Sequence, residues 1–302
     1  MQAAGWQVRR KTPKLGGMQR VLNFYLDDDK RARAEAGIGI FGAVVDVMRA
    51  AGWAVRYCGQ QDVVAGEGYH LVYNRAVDGR FCFSLRRCYL DKFFRIEATN
   101  DRWDWEVAGL PFFAAPGQAW FQRYWRERLF GGLAIAQGGY IFMPLQGKLL
   151  QQRHFQTASP VEMIHATLAA DPTRRIVATL HPREIYSDAE LEALRGIERF
   201  ELVKGSLPVL AGCDYVVTQN SSMALTGFFA DKPAVLFARI DFHHIAASVG
   251  QLGVAEAFEA VHRPQPYASY LHWFFKRQAL ASSGDGHQAQ IADRLRTHGW
   301  PL

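Results

Sequence analysis

No stretch of this 302-residue chain approaches the run of about eighteen apolar residues that a membrane-spanning helix needs. Residues 1–20 contain no apolar segment of the kind a secretory leader carries, so none is expected. Cysteine is sparse. Cys58, Cys82, Cys88 and Cys213 form no CxxC pair and no tight cluster with histidine, and they read as buried thiols in a reducing compartment. No block of Lys and Arg interleaves with aromatics, so nucleic acid is not an expected partner. A phosphate-binding GxxxxGK[ST] loop is missing. The pattern GxGxxG occurs at Gly37–Gly42, but no acidic residue follows at the end of the next strand-like run. It therefore reads as a glycine-rich turn that opens a helix rather than a dinucleotide site. Asp27-Asp28-Asp29 contains a DxD pattern but runs into Lys30-Arg31, the mark of a solvated turn. His243-His244 after Asp241 resembles a metal pair, but adjacent residues rarely ligate one ion without further ligands, so no metal is expected.

What remains is a chain that is 49% hydrophobic, enough for a sizeable core in two medium domains. Its 35 basic and 29 acidic residues give a net charge of +6, a mild preference for anionic ligands. The expected location is the cytoplasm. The aromatic content and positive charge leave room for a peripheral contact with the inner membrane surface.

The second half alternates strand-like and helix-like segments. Tyr140–Leu145 and residues 174–180 are short apolar runs, as are 200–203, 214–218 and 232–237. Between them, Ser159-Pro160-Val161-Glu162 and Ser187-Asp188-Ala189-Glu190 are capping boxes that open helices. Ser206–Gly212 and residues 221–230 read as two more helices. Right-handed crossovers would build a parallel sheet covered on both faces. A Rossmann-like domain is expected over residues 136–265. The first half is less regular. Strands at 20–26, 53–58 and 69–74 with a helix at 38–51 predict a second α/β domain over 1–135. Residues 115–130 read as an amphipathic aromatic helix. Residues 266–302 are expected to form a helical tail that packs back on the first domain.

Two short words carry the chemistry. His181-Pro182 ends one apolar run, and Asn220-Ser221-Ser222 ends another about forty residues later. Both fall where open α/β sheets bind ligands, outside the carboxyl ends of their strands. Alone, each has an ordinary explanation, a loop histidine and a helix cap. Together they mark one edge of one sheet. Gln146 and Lys148, after the first strand of this domain, could reach a phosphate or a sugar there. Residues 94–106 place Glu97, Asp101, Asp104 and Glu106 among aromatics and arginines, where carboxyl pKa values are tunable.

These words resemble the capsule-polysaccharide, Kdo-transferase-like family of CMP-sugar glycosyltransferases. The likeness rests on Tyr140–Gln146 (YIFMPLQ), His181-Pro182, DYVVTQNSS ending at Ser222, DKPAV from Asp231, and YLHWFFK from Tyr270. The resemblance implies a GT-B-like α/β fold, two Rossmann-like domains with parallel sheets facing across a cleft. It implies a metal-independent glycosyltransferase that moves an acidic, Kdo- or sialic-acid-like sugar from a CMP-sugar to a glycan or glycolipid acceptor. His181 and Pro182 would then meet the nucleotide and phosphate, Ser221 and Ser222 the phosphate, and Asn220, Gln146 and Lys148 the donor pocket. Glu97 is the first choice for the catalytic carboxylate and Asp101 the second. CMP leaves through a single phosphate, so hydroxyls and a histidine could stabilise it without a metal or other cofactor. The alternatives are a non-catalytic nucleotide-sugar-binding or scaffold relative, and a transferase using a UDP- or GDP-sugar.

Overall fold

The computed structural model describes residues 19–302. The stretch on which the leader expectation rests lies mostly outside the described residues. The chain forms two compact units: one holds residues up to Leu85 together with Ser282–Leu302, the other Arg86–Ala281. The sequence reading had placed its first boundary at 135.

In the first unit, β1 (Val21–Leu26) is followed by α1 (Asp28–Glu35), α2 (Gly39–Ala50), β2 (Ala54–Gly59), β3 (Tyr69–Tyr73) and β4 (Cys82–Arg87), whose last two residues cross into the second unit. The strands are parallel in the order β2-β1-β3-β4. The DxD word is a helix start: Asp27 caps α1, its carboxylate accepting from Lys30 N at 2.9 Å and Lys30 Nζ at 2.6 Å. The glycine word is the corner between α1 and α2. Gly37 and Gly39 have φ of +70° and +62°, and a Cβ on Gly42 would lie 2.1 Å from the Gly37 backbone.

The second unit begins with β5 (Phe93–Glu97) and α3 (Ala119–Phe130). It then alternates through β6 (Tyr140–Pro144), α4 (Pro160–Ala170), β7 (Arg175–Thr179), α5 (Asp188–Glu192), β8 (Phe200–Leu202), α6 (Ser206–Gly212), β9 (Tyr215–Thr218), α7 (Ser222–Phe228) and β10 (Ala234–Leu236). The segments β11 (Ala247–Ser248), α8 (Val249–Leu252), α9 (Val254–Ala260), α10 (Tyr267–His272) and β12 (Leu280–Ala281) complete it. Both capping boxes form, at Ser159 and at Ser187. The large sheet is parallel in the order β11-β10-β9-β6-β7-β8, with one apolar cluster on each face. β6 therefore lies between β9 and β7, and the chain changes direction across the sheet at that point. β5 pairs antiparallel with β12. Within the DKPAV word, Lys232 is buried and donates from Nζ to the carbonyls of Cys213, at 2.6 Å, and Ala136. This word ties the strand ends of the sheet from beneath.

The chain closes with α11 (His287–Thr297) in the first unit. Trp300 beyond it is 2% exposed and stacks on Trp53, ring centroids 5.7 Å apart. The last twenty-one residues, Ser282–Leu302, thus belong to the first unit's core. Trp300→Ala is expected to destabilise this unit by about 3–5 kcal/mol; chemical denaturation measures it, and a loss below about 1 kcal/mol would contradict the packing.

Candidate functional site

In an open α/β sheet, ligands bind beyond the strand carboxyl ends where the strand order reverses. Here that point lies between β6 and β9. The loop after β6 carries Gln146, the loop after β9 carries Asn220, and Ser222 opens α7 directly after it. All three line one cleft of about 520 Å³. Asp101 lines it too, with Tyr89 and four arginines: Arg86, Arg87, Arg102 and Arg153.

The cleft is short of partners for its own groups. Arg86 Nη1 donates to the Asn100 carbonyl at 2.5 Å, but its Nε is buried and makes no hydrogen bond among the described residues. Arg153 Nε and Nη2 are in the same state, and so is Gln146 Oε1. Burial, aided by the neighbouring Arg102 charge, pulls Arg86 down to about 10. Arg153 is lowered as well, chiefly by burial. Buried guanidinium donors without acceptors are costly. An anion within reach of these donors would relieve that cost, as a hydroxyl or amino donor would for Gln146.

Behind this surface lies a charged cluster. Tyr89, held at a φ of +59°, donates from its hydroxyl to Asp241 in a short hydrogen bond. Asp241 is 0% exposed, and burial raises its carboxyl to about 6 against the opposing pull of Arg102. Arg102 lies over the Tyr89 ring at 4.0 Å. Nearby, Arg95 and Glu97 form a buried ion pair at 3.3 Å, and Glu97 Oε2 accepts from Glu106 N at 3.2 Å. Both Glu97 oxygens are thus engaged, and the residue lines neither this cleft nor the neighbouring one. Its observed work is to anchor the turn at Glu106.

The remaining sequence choices separate. Ser221 is the cap of α7, its Oγ accepting from Met223 N at 3.3 Å, whereas the exposed Ser222 faces the cleft. Of the two serines in that word, one caps the helix and the other lines the cleft. His181, Pro182 and Lys148 do not line the cleft. His181 Nδ1 accepts from Arg183 N at 3.2 Å, so a neutral ring carries its proton on Nε2. The His-Pro loop nevertheless touches the Gln146 loop, since a Cβ on Gly147 would meet the Glu184 carboxylate at 2.2 Å. Leu149 N donates to Glu190 at 2.6 Å, which fixes the same loop to the start of α5. His244, of the histidine pair, is held between the Leu110 carbonyl and the Tyr270 hydroxyl, each at 3.1 Å, and burial lowers it to about 4.

Arg102 falls in the charged stretch 94–106, but Arg86, Arg87 and Arg153 were overlooked in the sequence, although for two of them the signal existed. Arg86-Arg87 ends the apolar run 81–85 as His181-Pro182 ends its own, at the carboxyl end of a strand.

A scan against protein-family models finds no match, and a search of curated proteins finds none either. Among solved structures, the chain superimposes on "Thermosulfurimonas dismutans KpsC, beta Kdo 2,7 transferase" with a TM-score of 0.50 at 11% identity, over 93% of this chain and 99% of that one. The chain has a GT-B-type α/β fold. The beta Kdo 2,4 transferase of the same KpsC aligns with a TM-score of 0.47 at 12% identity, over 84% of this chain and 91% of that one. A UDP-GlcNAc 2-epimerase from Methanocaldococcus jannaschii aligns at 0.28 and 12% identity, over 59% and 49%. At such identities the first likeness bears on the fold alone, and the weaker two add nothing to it.

The buried acid gives a pH signature. Asp241 binds its proton more tightly in the folded state, at about 6, than an ordinary carboxyl at about 3.9. Stability relative to Asp241→Asn should therefore fall as pH rises from about 4 to about 6, then level off, by roughly 1–3 kcal/mol. Urea titrations of both proteins across this window measure it; a difference that is flat or that grows with pH would contradict the assignment.

Proposed function

We propose that this protein is a glycosyltransferase of surface-glycan assembly that moves an acidic sugar from a CMP-sugar donor to a glycan or glycolipid acceptor. The observation that carries the reading is the convergence of Gln146, Asn220 and Ser222, from the sheet's reversal point, with four arginines in one cleft. A CMP-linked acidic sugar brings a phosphate and a carboxylate close together. Arg86 and Arg153 supply guanidinium donors for these groups, and Ser222 supplies a hydroxyl. The nucleotide then extends towards the His-Pro loop, where His181 offers its Nε2 proton. Transfer joins an acceptor oxygen to the anomeric carbon and breaks the bond from that carbon to phosphate. CMP departs with the electron pair, and its charge develops beside the arginines with no metal required. The acceptor hydroxyl must also lose its proton. The carboxylate we assign to that task is Asp101 rather than Glu97, because Asp101 faces the cleft while Glu97 is consumed by Arg95 and the Glu106 backbone. A diphosphate donor is less favoured, since Lys148, the one cation of the Gln146-Gly147-Lys148 loop, lies off the cleft.

Calorimetry with CMP tests the donor half. The parent should bind, and Arg86→Met, Ser222→Ala and His181→Ala should each weaken binding about tenfold or more, as loss of a charge-assisted hydrogen bond of about 1.5–3 kcal/mol requires. No binding by the parent, or unchanged affinity in all three variants, would overturn the reading. Turnover tests the other half. Asp101→Asn should lower kcat by about 10²–10⁴ with CMP affinity intact. Glu97→Ala should instead lower stability by about 3–5 kcal/mol, the usual cost of breaking a buried pair from one side; melting curves distinguish the two.

A further inference from the structure

Away from the cleft, α3 buries one stripe, Phe121, Gln122, Trp125 and Phe130. Its other side is not simply polar. Trp120 and Tyr124, one turn apart, are 50% and 46% exposed. Arg123 and Arg128 are exposed on the same side, and the Arg128 guanidinium lies over the Tyr124 ring at 5.7 Å. α10 packs along α3, and its His272 meets Trp120 edge to face, ring centroids 6.0 Å apart. The chain then widens into a π-helical turn, Trp273–Arg277, which buries Phe274 and Phe275 and leaves Lys276 and Arg277 exposed. His272 is lowered by burial and then by the charges of Arg277 and Lys276, so both cations stand near the Trp120–His272 contact. Arg126, on the inner side of α3, is paired with Asp231. Arg123, Arg128, Lys276 and Arg277 form no ion pair among the described residues. Over residues 119–130 and 267–277 the one acid is Glu127.

We propose that this face of α3 and the 272–277 turn docks on the surface of an anionic lipid bilayer. A single exposed aromatic is ordinary on a protein surface. Two aromatics set among four unpaired cations have the composition of a membrane-interface surface. The rings enter the headgroup layer, while the guanidinium and ammonium groups meet lipid phosphates. Cations that no carboxylate of this chain meets need a partner rich in anions, and fluid headgroups rearrange to meet them where a rigid protein surface cannot. The contact lies on the bilayer rather than across it, since α3 has twelve residues and no described helix is long and apolar enough to cross a membrane. None of these residues lines the donor cleft, so the inference stands apart from the donor assignment.

Co-sedimentation of the full chain with vesicles tests this, using phosphatidylcholine alone and phosphatidylcholine with phosphatidylglycerol in equal parts. The chain should bind the anionic vesicles, bind the neutral ones about tenfold more weakly, and be released as added salt shortens the Debye length. Trp120→Ala combined with Tyr124→Ala should cut binding about fivefold or more. Arg128→Gln, Lys276→Gln and Arg277→Gln together should do the same. Arg175→Gln, Arg195→Gln and Lys204→Gln together remove the same net charge from exposed positions around β7, α5 and β8, and should leave binding within about twofold of the parent. Melting curves that overlay the parent's separate a lost surface from a lost fold; if the aromatic variant unfolds, the charge variant, whose side chains are all exposed, decides. No binding to the anionic vesicles, binding that survives both variants of this face, or an equal loss in the control triple would overturn the inference. A DNA duplex that binds more tightly than the vesicles would give the cations to a nucleic acid instead. Self-association in sedimentation velocity that disappears with the two aromatics would give the face to a second copy. Either result would overturn the inference as well.

Discussion

Because β6 lies between β9 and β7, the loops after these three strands open side by side at one end of the sheet. That order places Gln146 beside Asn220 and Ser222, although more than seventy residues separate them. It also presses the His-Pro loop against Gly147, where the Glu184 carboxylate leaves no space for a side chain. Lys232 holds the arrangement from below through two carbonyls, and the capping box of α5 holds it from the side through Leu149. The meeting of Gln146, Asn220 and Ser222 follows from this one topological fact.

Charge then decides what the site can hold. Arg86 and Arg153 line the cleft and hold buried donors that have no acceptor among the described residues; Asp101 is the one acid in the lining, while Asp241 and Glu97 are buried and do not line it. Asp241 is occupied by Tyr89, and Glu97 by Arg95. The lining is therefore net basic, four arginines against Asp101. A mild net charge of +6 gave only a faint trace of this; the effect comes from where the acids are, not from how many there are.

The parallel sheet was legible because each of its strands is a short apolar run bounded by caps and turns, so propensity, pattern and capping agree. β5 was not. Its sequence Phe93–Glu97 ends in Arg95, Ile96 and Glu97, and two charges in five residues read as surface. They are buried because they pair with each other, a contact that hydrophobic periodicity does not encode. α11 was expected only as an undivided part of the helical tail over 266–302: within His287–Thr297 only Ile291 and Leu295 are buried, too few to set bounds of its own. The link from Tyr89 to Asp241 spans 152 positions, and nothing local announces it. The two serines of one word carry different duties, and only the geometry of α7 tells cap from cleft.

The fold provides the stage, and a CMP-linked donor is the occupant we propose for the cleft. A crystal structure with CMP bound tests it most directly. The account predicts the phosphate within hydrogen-bonding distance of Ser222 and Arg86 or Arg153, with Gln146 Oε1 accepting from the ligand and the nucleoside directed towards His181. A phosphate seated elsewhere, with the arginine cleft left to solvent, would contradict it.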